Sequence, residues 1–154
     1  MQVKITNQPL IGLVILLMTS CGPYQKALKS EDTKLKYDLA EAYYDEGDYR
    51  RAKGLFEQLK PLYRGKPQSE RLNYFYANCL LNTRSYITAA YELESFTKAF
   101  PQSDKLEEAY YLTANAYAEI SPIFSLDQKD TEEALNKLQE YINRYPDSER
   151  MVEV

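Results

Sequence analysis

Residues 37–59 read YDLAEAYYDEGDYRRAKGLFEQL, and the reading of this stretch decides the fold. With Leu35 just before it, the stretch places Leu35, Leu39, Ala42 and Tyr43 on one helical face. Gly47, in Glu46-Gly47-Asp48, then supplies the left-handed residue that turns one helix into the next. Slid by 37 positions, the stretch meets a copy of itself. Tyr37 falls on Tyr74, Ala40 on Ala77, Tyr43 on Leu80, Tyr49 on Tyr86, Ala52 on Ala89, Phe56 on Leu93 and Leu59 on Phe96. A second slide of 37 takes Tyr74 to Tyr111, Ala77 to Ala114 and Leu80 to Tyr117. The second helix of this third copy lies further on, where Ala134, Leu138 and Tyr141 match Ala89, Leu93 and Phe96 at a shift of 45.

The punctuation repeats as well. Pro67-Gln68-Ser69-Glu70, Pro101-Gln102-Ser103-Asp104 and Pro146-Asp147-Ser148-Glu149 share one pattern: Pro ends a helix, Ser caps the next, and an acid enters its first turn. Pro67 and Pro101 are 34 apart, the tetratricopeptide period. Val is absent between Cys21 and Met151 and Thr is unpatterned, so no strand signal competes. The prediction is an all-α protein, a tetratricopeptide-repeat helical solenoid of about three helix pairs over residues 33–154. Ala40, Ala52, Ala77, Ala89, Ala114 and Ala134 are the expected close-approach positions, buried beside larger side chains.

Outward from the repeats, the first twenty residues read as an address. Lys4 is the only charge before the apolar run LIGLVILLM at 10–18, and Thr19-Ser20-Cys21 follows. That is a secretory signal of residues 1–20, its nine-residue apolar run too short for a bilayer, which needs about 20. A Cys directly after the small pair resembles the lipobox of bacterial lipoproteins, in which the Cys is lipidated and becomes the first mature residue. Here Met18 stands three before the Cys, where Leu is usual. Several acyl chains on Cys21, at about 0.8 kcal/mol per buried methylene, make such an anchor stable. Residues 21–32 then read as the lipidated Cys and a tether. Gly22, rather than Asp, follows the Cys, which leans towards an outer-membrane, lipid-anchored, periplasm-facing location.

The chemistry of an enzyme is missing. There is no His, only 5 Gly, and no clustered metal-ligand spacing, so no catalytic residue, cofactor or metal is expected. Glu107-Glu108 and Glu132-Glu133 fall in first helical turns, where the helix dipole favours acids. A net charge of −4, with cations and acids interleaved, does not suit a nucleic-acid partner. Cys79, flanked by Ala77, Leu80 and Leu81, reads as a small buried apolar residue.

Binding is the remaining class. Tyr37, Tyr74 and Tyr111 recur on the first helix of each copy. One turn on lie Glu41, Asn78 and Asn115, and three residues before the Tyr lie Lys34, Arg71 and Glu108. A Tyr ladder edged by Asn78 and Asn115, with Lys34 and Arg71 for a carboxylate, suits an extended peptide. The other reading of the ladder is packing between repeats, and the two stand level. The insertion in the third copy carries Ile123, Phe124 and Leu126, apolar enough to contact a partner or the body of the chain.

Taken together, Cys21, the YYDEGDY turn at 43–49, LYRG at 62–65, Ser121-Pro122 with SLDQ at 125–128, and NRYPDSER at 143–150 resemble the BamD-like tetratricopeptide lipoproteins of the outer-membrane β-barrel assembly machinery. The resemblance runs from Cys21 to the last residue. It implies a non-enzymatic scaffold that binds the central barrel component and the C-terminal segments of unfolded outer-membrane proteins. The family usually has five repeats, so the later ones, which carry much of the contact to the central component, are expected to be lacking here. Two other classes remain open: another periplasmic repeat lipoprotein acting as an envelope adaptor, and a glycan-binding lipoprotein. Co-purifying material separates the three.

Overall fold

The computed structural model describes residues 22–121 and 128–152. Cys21, Ile123, Phe124 and Leu126 lie outside the described residues, as does the rest of the signal segment. Among the described residues there are seven α-helices, no strand, and one closing 3-10 turn at Glu149–Val152. A short α1, Pro23–Lys29, precedes three hairpins: α2 (Thr33–Asp45) with α3 (Tyr49–Tyr63), α4 (Ser69–Asn82) with α5 (Tyr86–Ala99), and α6 (Leu106–Ile120) with α7 (Lys129–Arg144). From α2 onwards each helix packs chiefly on its sequence neighbours, the arrangement of a tetratricopeptide-like solenoid.

Local chemistry sets the ends. Asp32 caps α2, its carboxylate accepting from the Lys34 and Leu35 amides at 2.9 and 3.0 Å, and Asp48 caps α3 through the Arg51 amide at 3.1 Å. Of the repeated Ser residues, Ser148 caps the closing turn through the Arg150 amide at 3.1 Å, but the other two do not cap as expected. Ser69 lies inside α4, where its hydroxyl accepts from Asn73, and Ser103 binds the Lys105 amide one residue before α6 begins. Ser69 is the first residue of α4 and Ser103 stays in the loop, so α4 starts one residue before and α6 two residues after the position the Ser signal gives.

Gly47 has φ +78°, and its turn closes through Gly47 N to Tyr44 O and Asp48 N to Tyr43 O. The equivalent turn, 37 residues on, repeats both bonds with Arg84 in the glycine position at φ +58°. An L-residue in this region carries a steric cost that glycine avoids. Arg84→Gly is expected to raise stability by about 0.5–1 kcal/mol. Thermal melts check this, with Arg84→Ala as the control that gains nothing. A glycine variant that melts no higher than wild type rejects the strain.

Ala40, Ala52, Ala77 and Ala89 are fully buried and Ala114 is 2% exposed, so five of the six small positions let helices close on one another. Ala134 is only half-buried, contrary to expectation, and Leu135 beside it is 60% exposed. The reason is that α7 packs on α6 and on no later helix among the described residues. Phe56, Leu55 and Leu59 of α3, Leu72 of α4, and Leu93 and Phe96 of α5 fill the interior. Each contributes about 1.5–3 kcal/mol of burial. Cys79 is fully buried, and desolvation, opposed by Lys53, pushes its thiol up to about 12, so it packs rather than reacts.

The stretch expected to be a tether is partly folded. Ala27 of α1 is buried, and Tyr24 packs edge-on against Tyr43 at 6.0 Å. The Tyr24 hydroxyl lies only 2.5 Å from where a Cβ on Gly54 would sit. A glycine in mid-helix costs about 1 kcal/mol against Ala. Here it leaves the room that seats α1.

Candidate protein-binding groove

The first helices of the hairpins, α2, α4 and α6, line one side of the stack, and side chains link them across the seams. Tyr44 of α2 stacks on Phe75 of α4 at 4.2 Å. Arg71 of α4 reaches Glu41 of α2, with Nε 2.8 Å from Oε1, and lies 4.9 Å over the Phe75 ring. That Glu41 oxygen is sealed from solvent and no donor hydrogen points at it, so the link is a Coulomb contact rather than an aligned hydrogen bond. At the next seam the Tyr74 hydroxyl meets Glu108 of α6, and Lys105 sits 5.5 Å over the Tyr74 ring and 3.3 Å from Glu108.

Burial divides the Tyr ladder. Tyr74 is 6% exposed and packs on Phe96 at 5.7 Å, so it is a core residue and presents no open ring face. Tyr37 and Tyr111 are half-buried. Tyr37 stacks on Tyr63 at 5.3 Å, and Tyr111 meets Tyr141 at 5.6 Å with the Arg150 guanidinium 5.8 Å from its ring. In every unit the first-helix Tyr leans on an aromatic of its own second helix, and this contact accounts for its recurrence. Burial, and then the Glu41 carboxylate beside it, push the Tyr37 hydroxyl up to about 12.

The expected polar edge is mostly committed. Asn78 donates to its own helix at Tyr74 O, 3.0 Å. Lys34 is exposed and pairs with Asp38 at 2.6 Å, while Arg71 is held by Glu41. Asn115, half-buried beside Tyr111, has no side-chain partner among the described residues. The half-buried part of the candidate site is thus Tyr37 at one end and Tyr111 with Asn115 at the other.

The seams also set an acid limit. Burial alone would raise the carboxyl groups of Glu94 and Glu108. Hydrogen bonds outweigh it: Lys137 and Tyr117 act on Glu94, Tyr74 and Lys105 on Glu108, and both groups lie below their ordinary value of 4.5. Depressed carboxylates give stability that is present above that ordinary value and lost as pH falls through the lower folded value. Melting temperature is therefore expected to drop steeply below pH 4.5, and Glu108→Gln to flatten that limb. An unchanged acid limb in the variant refutes the role of Glu108.

Sequence reasoning missed a second concavity. Between α3 and α5, over the start of α4, lies a cleft of about 750 Å³. Its rim holds Lys60, Arg64 and Lys66, and one wall holds Tyr91, 67% exposed. The cations and the Tyr are too far apart in the chain for any local pattern to join them.

Comparison with known proteins places this architecture. Residues 29–154 match the model of the family described as YfiO, outer membrane lipoprotein. A protein of Aquifex aeolicus (strain VF5), named as an outer membrane protein assembly factor BamD, is 31% identical over 133 residues, 85% of this chain and 43% of that relative. The chain thus spans less than half the length of the curated relative it matches. A match over most of the chain, on a stack of helical hairpins, shows that this protein belongs to the YfiO family of outer membrane lipoproteins.

Proposed function

We propose that the chain is a non-enzymatic scaffold of outer-membrane β-barrel assembly, anchored at Cys21 and facing the periplasm. Its hairpin groove takes C-terminal segments of unfolded outer-membrane proteins, and the chain also contacts the central barrel component of the machinery. One observation carries the reading: the groove is built of first helices whose end positions, Tyr37 and Tyr111, are half-buried rather than sealed like Tyr74, with the Asn115 amide available one turn from Tyr111. An aromatic C-terminal residue can lie against such a ring while the amide pairs with its backbone. Arg71 is more exposed than Glu41, so its guanidinium can take a terminal carboxylate with its outer nitrogens while Nε stays beside Glu41.

The test is a calorimetric titration of a ten-residue peptide ending in Phe and a free carboxylate onto the chain. The amidated peptide is expected to bind about tenfold more weakly, the loss of one charge-assisted contact. Equal binding of the two forms rejects the carboxylate role. The anchor is tested separately by labelling cells with radioactive palmitate. Wild type is expected to incorporate label and Cys21→Ser none; equal labelling removes the lipoprotein anchor from the reading.

A further inference from the structure

The lining of the cleft between α3 and α5 includes none of the groove candidates Lys34, Tyr37, Arg71, Tyr74, Asn78, Tyr111 and Asn115, and nothing in the proposed function uses it. Its depth comes from small residues. On α5, Ser95 and Ala99 follow Tyr91 at successive turns, so the wall drops away below the Tyr ring towards Phe100. Facing them, α3 ends in Lys60-Pro61-Leu62-Tyr63, and Gly65 at φ +77° turns the chain back towards α4. That reversal holds Arg64 and Lys66 at the mouth.

Among the described residues, two of the three cations at the mouth lack an acidic partner, as do Arg50, Lys53 and Arg84 around the Gly47 turn, but only at the cleft do such cations border an exposed Tyr and a wall of small residues. Lys34, Arg51, Arg71, Lys105, Lys137 and Arg144 each have a carboxylate close by. At the cleft only Lys60 does, bridging to Glu92 of α5. Arg64 and Lys66 have no acidic partner among the described residues, and Lys66 instead lies 4.5 Å over the Tyr63 ring. A chain of net charge −4 thus concentrates two uncompensated cations beside an exposed aromatic and an apolar-floored slot. Such a surface attracts carboxylates and rewards burial of a side chain between them.

We propose that this cleft is a second protein-docking site, separate from the groove, whose occupant is a short extended segment of a partner protein with an aromatic or large apolar side chain flanked by acidic residues. The side chain enters the slot over Ser95 and Ala99 against Tyr91, and the flanking carboxylates meet Arg64 and Lys66. The site stands whether or not the groove binds C-terminal segments, because no residue is shared between the two.

The test starts from a random ten-residue displayed peptide library selected on the full chain, followed by titration of one enriched peptide. Enriched peptides are expected to carry acids around a Phe, Tyr or Leu. Arg64→Glu with Lys66→Glu is expected to weaken the chosen peptide at least tenfold, and Tyr91→Ala about fivefold. Tyr111→Ala, in the groove, should leave it within twofold. Arg64 and Lys66 are exposed, so the double variant should keep its melting temperature, and Lys66→Gln serves as a milder second variant. Peptides without acidic bias, or equal binding to the double variant, overturn the proposal. So does displacement of the peptide by vesicles of anionic lipid, or self-association of the chain that the double variant abolishes. Those outcomes assign the cleft to a membrane or to a second copy.

Discussion

Ala89→Glu is expected to abolish cooperative folding at 37 °C. Ala89 is fully buried on α5, in the cluster that joins Ala52, Leu55 and Phe56 of the first hairpin to Leu72 and Tyr76 of the second. A carboxylate there loses its water and gains no partner, a cost of several kcal/mol even after its pKa rises to keep it neutral. Its extra atoms also force apart helices whose approach depends on a methyl group, for about 1–3 kcal/mol more. Domains of this size are stable by about 5–15 kcal/mol in total, so the sum consumes most of what is available. Ala134→Glu is the matched comparison. The repeat pattern makes the two alanines equivalent, yet Ala134 is half-buried on α7, and Glu there should cost under about 1 kcal/mol. Circular-dichroism melts of the two variants decide the matter. If both melt alike, small residues at this repeat position are not what sets helix spacing.

That contrast shows what the sequence holds and what it does not. The hairpins were legible because Ala40, Ala77 and Ala114 recur at 37 with large partners beside them, and a helix–turn–helix unit is specified mostly by such local spacing. Burial was legible only where a helix has neighbours on both sides. Ala134 carries the same pattern but packs in one direction. The divided ladder has the same origin. Tyr37, Tyr74 and Tyr111 occupy one register, but what covers each ring is supplied by the following unit: Lys105 and Glu108 over Tyr74, Arg150 over Tyr111. α1 left a weak trace in Pro23, a favoured residue at a helix start, and Gly54, its seat, lies over two dozen residues on. The cleft left none, since Arg64 and Tyr91 meet only after two helices have folded back.

The Tyr ladder is expected to split under mutation. Tyr74→Ala removes a ring that packs on Phe96 and Phe75 and a hydroxyl that meets Glu108, and it leaves a cavity at the seam between the second and third hairpins. Large-to-small changes of this kind cost about 3–5 kcal/mol, and the pattern of contacts places this one in that range. Tyr74→Phe keeps the ring and loses only the hydrogen bond, so it should cost about 1 kcal/mol. Glu108 then loses a donor that favours its ionised form, its carboxyl titrates closer to its unfolded value, and the acid limb of the stability curve flattens. Tyr37→Ala and Tyr111→Ala act differently. Both rings are half-buried, so each loses less packing, and each should weaken a C-terminal aromatic peptide by about 1–2 kcal/mol, a moderate hot spot. Melting curves and peptide titrations on the four variants separate these cases. Early melting with intact binding in the folded fraction is the signature expected of Tyr74, and weakened binding with a modest shift in melting that of Tyr111. If Tyr111→Ala melts as early as Tyr74→Ala and binds normally below its transition, all three rings serve packing. The groove reading then loses its aromatic surface, and peptide recognition has to be sought at the cleft between α3 and α5 instead.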